Sequence, residues 1–365
     1  PDASVTQPRT LGPPRAGEVC GQCHSLHTQY NGEDWAASFV DGAPYRPGDD
    51  LGETAYVVQP ETLAESPLME QFVRERPGLL DEWFWRDGEI RVVGREYNGL
   101  IESPCFAGGE FSCLSCHSIH ESEPDDRLKA GMRGDAACTQ CHAELAGSLT
   151  AHTHHAAPSA GSRCQNCHLP HTSYGLLKAS RSHRVSSPSV AADLSAGRPN
   201  ACNLCHLDRS LGWTAERLGD WYDIAAPALD DQQRHLPAAP VWLLRGDAGI
   251  RALTAWHFSW QPALEASGSA WQVPLLAPLL DDPYDAVRFI AGRSMQKLLG
   301  GAAFAYDFLH PPARRQAAAA RTVEAWRPGS QELPAPFFAA DGSTNAELIR
   351  KLLAERDNRP VHLVE

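Results

Sequence analysis

The cysteines of this 365-residue chain follow one rule with a single exception. Ten of the eleven cysteines form pairs separated by two residues, and a histidine directly follows the second cysteine of each pair. Cysteine sulfur and imidazole nitrogen are common metal ligands, so the pattern predicts metal or redox chemistry at five places. The motifs are Cys20, Cys23 and His24; Cys113, Cys116 and His117; Cys138, Cys141 and His142; Cys164, Cys167 and His168; and Cys202, Cys205 and His206.

Three chemistries use cysteine pairs at this spacing. Disulfides over so short a spacing are strained, and redox-active pairs of this kind belong to a βαβ pattern that is missing here. Zinc sites combine two pairs, or one pair with two distant histidines, and they do not require histidine directly after every second cysteine. The constant position of the histidine therefore favours covalent attachment of haem c over both alternatives.

Haem c explains every position of the motif. Cysteines three residues apart lie about one helical turn apart on one face, where both sulfurs can bond to the vinyl groups of one porphyrin. The following histidine then points at the iron as its proximal ligand. The sequence therefore predicts five covalently bound haem c groups, with His24, His117, His142, His168 and His206 on the irons.

Histidine is also the expected ligand on the other side of most irons. Only Met69, Met132 and Met295 offer a methionine sulfur, and none lies near a motif, whereas eleven histidines lie outside the motifs. His27, His120 and His171 each follow a motif histidine by three residues, so in a continuing helix they would project toward a neighbouring haem. For His171 and His154 we favour a solvated surface histidine without a metal. The predicted distal ligands are His27, His120, His152, His155 and His183.

Residues 152–188 resemble the pentahaem ammonia-forming nitrite reductase superfamily. In that family the fourth motif reads CxxCHxP, with one histidine shortly upstream and another in an H-[KR]-[IV]-x-x-P segment downstream. Cys164–Pro170 matches the motif, and His155 and His183 match the two outer positions. The resemblance covers residues 20–210 and implies five haems in the same order along the chain.

The second motif departs from that family. The reductases carry CxxCK there, and the lysine-ligated haem keeps one side open for nitrite, whereas this chain has His117 followed by His120. The departure weakens the case for substrate reduction. The chain is more similar to multihaem cytochromes that end in HEAT-like helices.

Charge and hydropathy limit the partners and the location. A net charge of −13 argues against nucleic acid as a partner. The sequence contains no run of about eighteen apolar residues, so it predicts no transmembrane helix. The polar start of the chain reads as a mature, processed end. Since bacteria attach haem c outside the cytoplasm, we expect an exported protein, periplasmic or extracellular.

The motifs divide the chain into regions of different character. Residues 31–104 carry no motif and read as a loop-rich insertion, in which Asp87-Gly88 predicts a hairpin turn. The later motifs are too closely spaced for a conventional core, so the porphyrins must supply the apolar bulk. We predict a pentahaem cytochrome c domain over residues 1–228 that is mainly α, with short helices, long loops and little sheet.

The remaining residues, 229–365, predict an α-helical domain. Apolar residues recur there at helical spacing, as in Ile250, Leu253 and Trp256. Residues 274–300 resemble one HEAT repeat, in which Asp282 would cap the second helix. Thr344 and Glu347 have the spacing of a capping box. No chemistry is visible in this region.

Three functions fit these features. The favoured one is electron transfer between redox protein partners along a chain of mostly bis-histidine haems. The second is reduction of a nitrogen or sulfur oxyanion at one open haem, beside His152 or His154 and arginines such as Arg163 and Arg181. The third is a homo-oligomer or extracellular filament in which a histidine of one subunit ligates a haem of the next.

Overall fold

A computed structural model describes residues 5–120, 126–301, 304–327 and 333–361. These residues are mainly helical, with short helices, long loops and two small two-stranded sheets, as predicted. None of the helices they form is both long and apolar enough to cross a membrane. The chain divides into two compact units: a first unit of residues 1–170 and 181–187, and a second unit of residues 171–180 and 188–365. The predicted extent of the haem domain, to residue 228, stays a prediction.

The first unit contains short helices and one antiparallel strand pair. Several helices begin at a residue that caps them, as when Asn31 accepts hydrogen bonds from the backbone amides of Glu33 and Asp34. The helices are α1 (Pro13–His24), α2 (Gly32–Asp41), α3 (Leu51–Thr54), α4 (Pro67–Glu75), α5 (Leu79–Trp83), α6 (Glu96–Ile101), α7 (Pro104–Ala107), α8 (Ala136–Thr139), α9 (Leu149–Thr153) and α10 (Cys164–His168), and the strands are β1 (His27–Thr28) and β2 (Tyr56–Val57).

The insertion at 31–104 has a core of its own. One apolar cluster forms around Tyr56, Met69 and Phe84, and a second around Leu51 and Tyr97. The predicted turn is present in minimal form: Phe84 and Ile90 form one antiparallel bridge, and Gly88 takes a φ of 82° in the turn between them. The region is therefore more ordered than a loop-rich insertion, because its aromatic residues pack on each other.

The stretch that carries the second, third and fourth motifs has no such core. Among its described residues, no apolar side chain between Leu100 and Tyr174 is buried. A folded stretch of this length normally buries several. The missing apolar bulk agrees with the expectation that porphyrins provide it.

The second unit consists of a strand pair followed by longer helices. The strands are β3 (His171–Gly175) and β4 (Lys178–Arg181), of which Arg181 already belongs to the first unit; the helices are α11 (Val190–Ala196), α12 (Leu211–Tyr222), α13 (Asp231–His235), α14 (Ala238–Arg245), α15 (Ala248–His257), α16 (Gln261–Ser267), α17 (Gln272–Leu276), α18 (Asp285–Leu298), α19 (Pro312–Ala325) and α20 (Ala346–Ala354). The large apolar core of this unit centres on α14, α15, α17 and α18. The HEAT resemblance stays a prediction.

Two predicted helix caps in this unit are wrong. Asp282 does not cap α18, which begins after Tyr284; its fully buried carboxylate instead forms a two-pronged ion pair with Arg251, at 2.8 and 2.9 Å. The cap of α20 is Asn345, whose side chain accepts from the amide of Leu348. At α20 a neighbouring asparagine therefore caps in place of the predicted threonine, whereas Tyr284 at the start of α18 makes no side-chain cap hydrogen bond.

Candidate functional site

Every motif forms the helical turn that haem attachment requires. The first motif ends α1, and the fourth is α10 itself. In the other three, the backbone amide of the motif histidine donates to the carbonyl of the first cysteine: His117 at 2.9 Å, His142 at 3.0 Å and His206 at 2.7 Å. A helical turn places both cysteines of a pair, three residues apart, on one side, as predicted.

The helix does not continue beyond the motif histidines, contrary to expectation. α1 ends at His24, so His27 lies in β1 with an exposed side chain. α10 ends at His168 because Leu169 precedes Pro170 and takes a non-helical conformation. The argument that placed His27, His120 and His171 one helical turn onward is therefore wrong.

The imidazoles of His168 and His152 face each other in the first unit. Their ring centres lie 6.1 Å apart, and the ring planes differ by 12°. His152 comes from α9 and His168 from α10. Burial lowers the pKa of His168, which favours the neutral form that binds metals.

A second pair has nearly the same geometry. The ring centres of His117 and His183 lie 6.2 Å apart, with 27° between the planes. Burial also lowers the pKa of His183. The two pairs thus join a motif histidine to a histidine outside the motifs.

This spacing fits two imidazoles on opposite sides of one iron. A metal–imidazole bond is about 2 Å, and a five-membered ring with bonds of about 1.35 Å has a radius of about 1.15 Å. Ring centres on either side of one metal are therefore roughly 6.3 Å apart. Both observed distances match that value, so the residues present fit a bis-histidine haem.

Backbone contacts hold His183 opposite His117. The hydroxyl of Ser103 donates to the carbonyl of His183 at 2.9 Å and accepts from the amide of Val185 at 2.9 Å. In α6, a Cβ on Gly99 would lie 2.9 Å from the backbone nitrogen of Arg184. The segment around His183 therefore needs glycine at this point of α6.

Arg181 and Ser186 hold the fourth motif. Arg181 donates to the carbonyls of Gln165 and Leu169, at 2.8 and 2.9 Å, and to the side chain of Asn166 at 2.6 Å. The Nδ1 of His168 lies 2.8 Å from the carbonyl oxygen of Ser186. Arg181 is thus a structural clamp on α10 in this arrangement, although the sequence suggested it as an anion-stabilising group.

The first motif packs against α6. A Cβ on Gly21 would lie 2.9 Å from the ring of Tyr97, so the glycine inside the motif permits close contact between α1 and α6. At the end of α1, the Nδ1 of His24 lies 3.0 Å from Oε2 of Glu96. Burial alone would raise the pKa of Glu96, but the hydrogen bond from His24 and the nearby His183 lower it to about 2.

Cysteines of different motifs contact each other. The interaction of the Cys20 thiol with the Cys113 thiol lowers the pKa of Cys20 to about 7 and raises that of Cys113. A second contact joins Cys138 and Cys164, where burial, with the nearby Cys138 thiol, raises the pKa of Cys164 to about 12. Each contact brings together the attachment points of two consecutive motifs.

Asp135 joins the third motif to the fourth. Its carboxylate accepts from the guanidinium of Arg163 at 2.8 Å and from the backbone amide of Cys164 at 3.0 Å. Asp135 also directly precedes α8, which carries Cys138. His142, at the end of this motif, is exposed.

The fifth motif lies in the second unit, among turns rather than in a regular helix. Asn200 accepts from the amide of Cys202 at 2.9 Å, and the buried Asn203 accepts from the hydroxyl of Thr214 at 2.8 Å. The ring of His206 lies 4.9 Å from that of Trp213. Buried polar side chains therefore shape this loop.

The remaining predicted ligands lie at varied places. His120 is exposed. The ring of His155 covers Gly161, where a Cβ would lie 2.1 Å from it, and its Nδ1 lies 2.5 Å from the carbonyl oxygen of Thr153. Cys105, the one cysteine outside the motifs, is half-buried in α7.

A cluster of histidines and tryptophans in the second unit was not predicted. The Nδ1 of the buried His171 lies 3.3 Å from Nε2 of the buried His257, and both rings contact Trp256 and Trp260. His171 is therefore buried in the protein core, so the prediction of a solvated surface histidine is wrong at this position. The helical spacing of the tryptophans was visible, but nothing in the sequence joins them to His171.

Comparison with known proteins identifies the class. Residues 104–147, which hold the second and third motifs, match the family model described as "Doubled CXXCH motif". No curated protein is detectably similar to the chain. The doubled motif indicates covalently bound haem c, the cofactor of multihaem c-type cytochromes.

One solved structure is similar at a low level. The crystal structure of the outer cell wall cytochrome OcwA matches 84% of this chain with a TM-score of 0.34 and 16% sequence identity. The chain spans 64% of that protein. A TM-score of this size does not establish a shared fold.

Proposed function

We propose that the chain binds five haem c groups and passes electrons along them between redox protein partners. When bound, haem iron supplies one-electron redox chemistry. The chain contributes the attachment sulfurs, the axial imidazoles and the packing that sets the distances between sites. Among the described residues, no specific contact favours the reductase or the filament hypothesis.

The contacts between cysteines of different motifs carry this proposal. Because each sulfur bonds to a porphyrin edge, Cys20 beside Cys113 brings the edges of the first and second haems together. Cys138 beside Cys164 does the same for the third and fourth haems. Short edge separations are what electron transfer between cofactors needs.

The ligand assignment follows the ring pairs where they exist. We assign His117 and His183 to the second haem and His168 and His152 to the fourth. The five motif cysteine pairs hold the porphyrins. For the other three haems, His24, His142 and His206 are the proposed proximal ligands, and His27, His120 and His155 stay candidates for the distal side.

Exchange with partner proteins takes place where attachment sites reach the surface. Cys23 of the first motif and Cys141 of the third are exposed. Haems attached there have an edge near solvent, which suits transfer to another protein. Covalent haem c attachment also places the protein outside the bacterial cytoplasm, in the periplasm or beyond.

Mass spectrometry and low-temperature EPR of the oxidised protein test the proposal. We expect a mass above the 39.7 kDa of the bare chain by five haems, and low-spin iron at the second and fourth sites. His183→Ala should convert one low-spin iron to high-spin, whereas His154→Ala, a change at an exposed histidine, should convert none. A colourless protein would contradict the proposal, and a native high-spin iron that binds nitrite would favour a reductase over an electron-transfer protein.

A further inference from the structure

A carboxylate contacts the proximal histidine of the first motif. Oε2 of Glu96 lies 3.0 Å from Nδ1 of His24, and Oε1 accepts from the backbone amide of Gly94 at 2.9 Å. Glu96 is the first residue of α6, so both contacts are fixed by the helix and the turn before it. The carboxylate is therefore held on Nδ1 of His24, which leaves Nε2 as the nitrogen that would bind an iron.

The other described Nδ1 contacts are to neutral groups or are longer. The Nδ1 of His168 faces the carbonyl oxygen of Ser186, at 2.8 Å. The Nδ1 of His142 lies 3.7 Å from Glu144, beyond hydrogen-bond distance, and both side chains are more than half exposed. Only a close, partly buried carboxylate places a full negative charge against the ligand ring.

The charge of the hydrogen-bond acceptor changes the basicity of the imidazole ligand. An imidazole on a metal uses its second N–H to bond an outer partner, and a carboxylate partner raises the basicity of the ring more than a carbonyl does. A more basic ligand, with a negative charge nearby, stabilises ferric over ferrous iron. Hydrogen bonding and ligand charge of this kind are recognised ways to set haem potentials.

We propose that Glu96 is a positioning residue that lowers the reduction potential of the first haem relative to the fourth. The inference rests on the proposed function, since it requires haem at the first motif. At equilibrium the first haem would be oxidised before the fourth. No bond changes in the transfer itself: one electron leaves a ferrous iron for a ferric one, and the Nδ1 proton stays on His24.

Glu96→Gln tests the role of the charge, because glutamine keeps a hydrogen-bond acceptor at the same place. In an EPR-monitored redox titration, we expect the midpoint of one haem to rise by about 59 mV, which is a tenfold change in its ferrous to ferric ratio. The low-spin signal of the same haem should change its g values. The other four midpoints should stay within the error of the titration.

Two further variants complete the test. Glu96→Asp keeps the charge and should leave the midpoint closer to that of the native protein than Glu96→Gln does. Glu144→Gln removes a carboxylate near another proximal histidine, and because that group is exposed and distant we expect a much smaller shift.

The two possible failures can be told apart. If Glu96→Gln retains five haems by mass and leaves every midpoint and g value unchanged, the role of Glu96 is wrong. If the native protein lacks a haem at the first motif, the proposed function itself is wrong. Should Glu96→Gln not fold, Glu96→Ala, which also removes the charge, decides: a midpoint that rises more than in Glu144→Gln supports the proposal, and no rise overturns it.

Discussion

At the scale of single residues, each histidine pair depends on neighbours that are not ligands. His183 is held by Ser103 and by the absence of a side chain at Gly99, and His168 by the carbonyl of Ser186. These contacts fix where the rings lie before any iron is bound. Small changes in the neighbours should therefore alter the spin state of the iron, to a smaller extent than loss of a ligand.

Gly99→Ala is expected to loosen the second haem site. The new Cβ would lie 2.9 Å from the backbone nitrogen of Arg184, so the segment with His183 must shift away from His117. We expect part of one low-spin iron to become high-spin, measured by EPR. Gly147→Ala is the matched control, because nothing lies within 4 Å of a Cβ there. An unchanged spin state in Gly99→Ala would contradict the assignment of His183.

Glu102 should make stability depend on pH. Burial raises its pKa from 4.5 to about 7, and although Arg184 lies 3.2 Å away, its geometry does not make a hydrogen bond to the buried oxygen. The folded state therefore holds this proton more tightly than the unfolded chain. Its contribution to stability is full below about pH 4.5 and is lost as the pH rises through about 7.

Glu102→Gln stays neutral at every pH and removes this dependence. We expect the variant to exceed the native protein in stability above pH 7, by up to roughly 3 kcal/mol, and to equal it near pH 4. Thermal unfolding at both pH values measures the difference. Glu110→Gln, at an exposed position, should change little at either pH. Equal stabilisation of Glu102→Gln at pH 4 and pH 8 would show that the effect is not one of charge.

At the scale of elements, the ion pair of Arg251 and Asp282 joins α15 to the turn before α18. Both side chains are fully buried, and Arg251 also donates to the carbonyls of Gly246 and Asp357, at 2.7 and 2.9 Å. Removing one partner would leave a charge without compensation in the core. The interaction thus determines how several segments of the second unit meet.

Asp282→Ala should lower the free energy of unfolding of the second unit by about 3–5 kcal/mol. Glu355→Ala is the control: its ion pair with Arg245 is longer, at 3.4 Å, and both side chains are more than a third exposed. For that variant we expect the free energy of unfolding to fall by about 0–1 kcal/mol. Chemical denaturation followed by circular dichroism measures both. A similar loss in the two variants would indicate that the buried pair contributes no more than an exposed one.

The sequence predicted the elements unevenly. The helical turns of the motifs and the helices of residues 248–298 follow from local spacing, which sequence shows directly. The end of α10 before Pro170 is also a local effect that the sequence shows. The prediction of a helix that continues to His171 did not take this proline into account. Gly99 and Glu96 were not found, because each acts on a residue distant along the chain, and a single sequence does not show which distant segments meet.

At the scale of the whole molecule, the two units differ in what stabilises them. The second unit has a large apolar core, whereas the described residues between Leu100 and Tyr174 bury no apolar side chain. Folding relies on apolar burial, so we expect the stability of this stretch to depend on the haems that it binds.

Limited proteolysis of haem-free chain should reveal this difference. We expect rapid cleavage between residues 101 and 173 and slow cleavage within α14–α18, because a core protects the latter helices. The haem-bound protein should resist cleavage in both regions. Equal resistance of the middle stretch with and without haem would contradict the dependence on cofactors.

The path of the chain between the units carries one more consequence. The chain leaves the first unit after Pro170, returns at Arg181 and leaves again after Ser187. Residues 171–180 of the second unit therefore separate His183, in sequence, from the rest of the first unit. A shortened gene that stops at residue 170 would encode His117 without His183. During synthesis, the ribosome must therefore finish the β3–β4 hairpin before the second haem site can be completed.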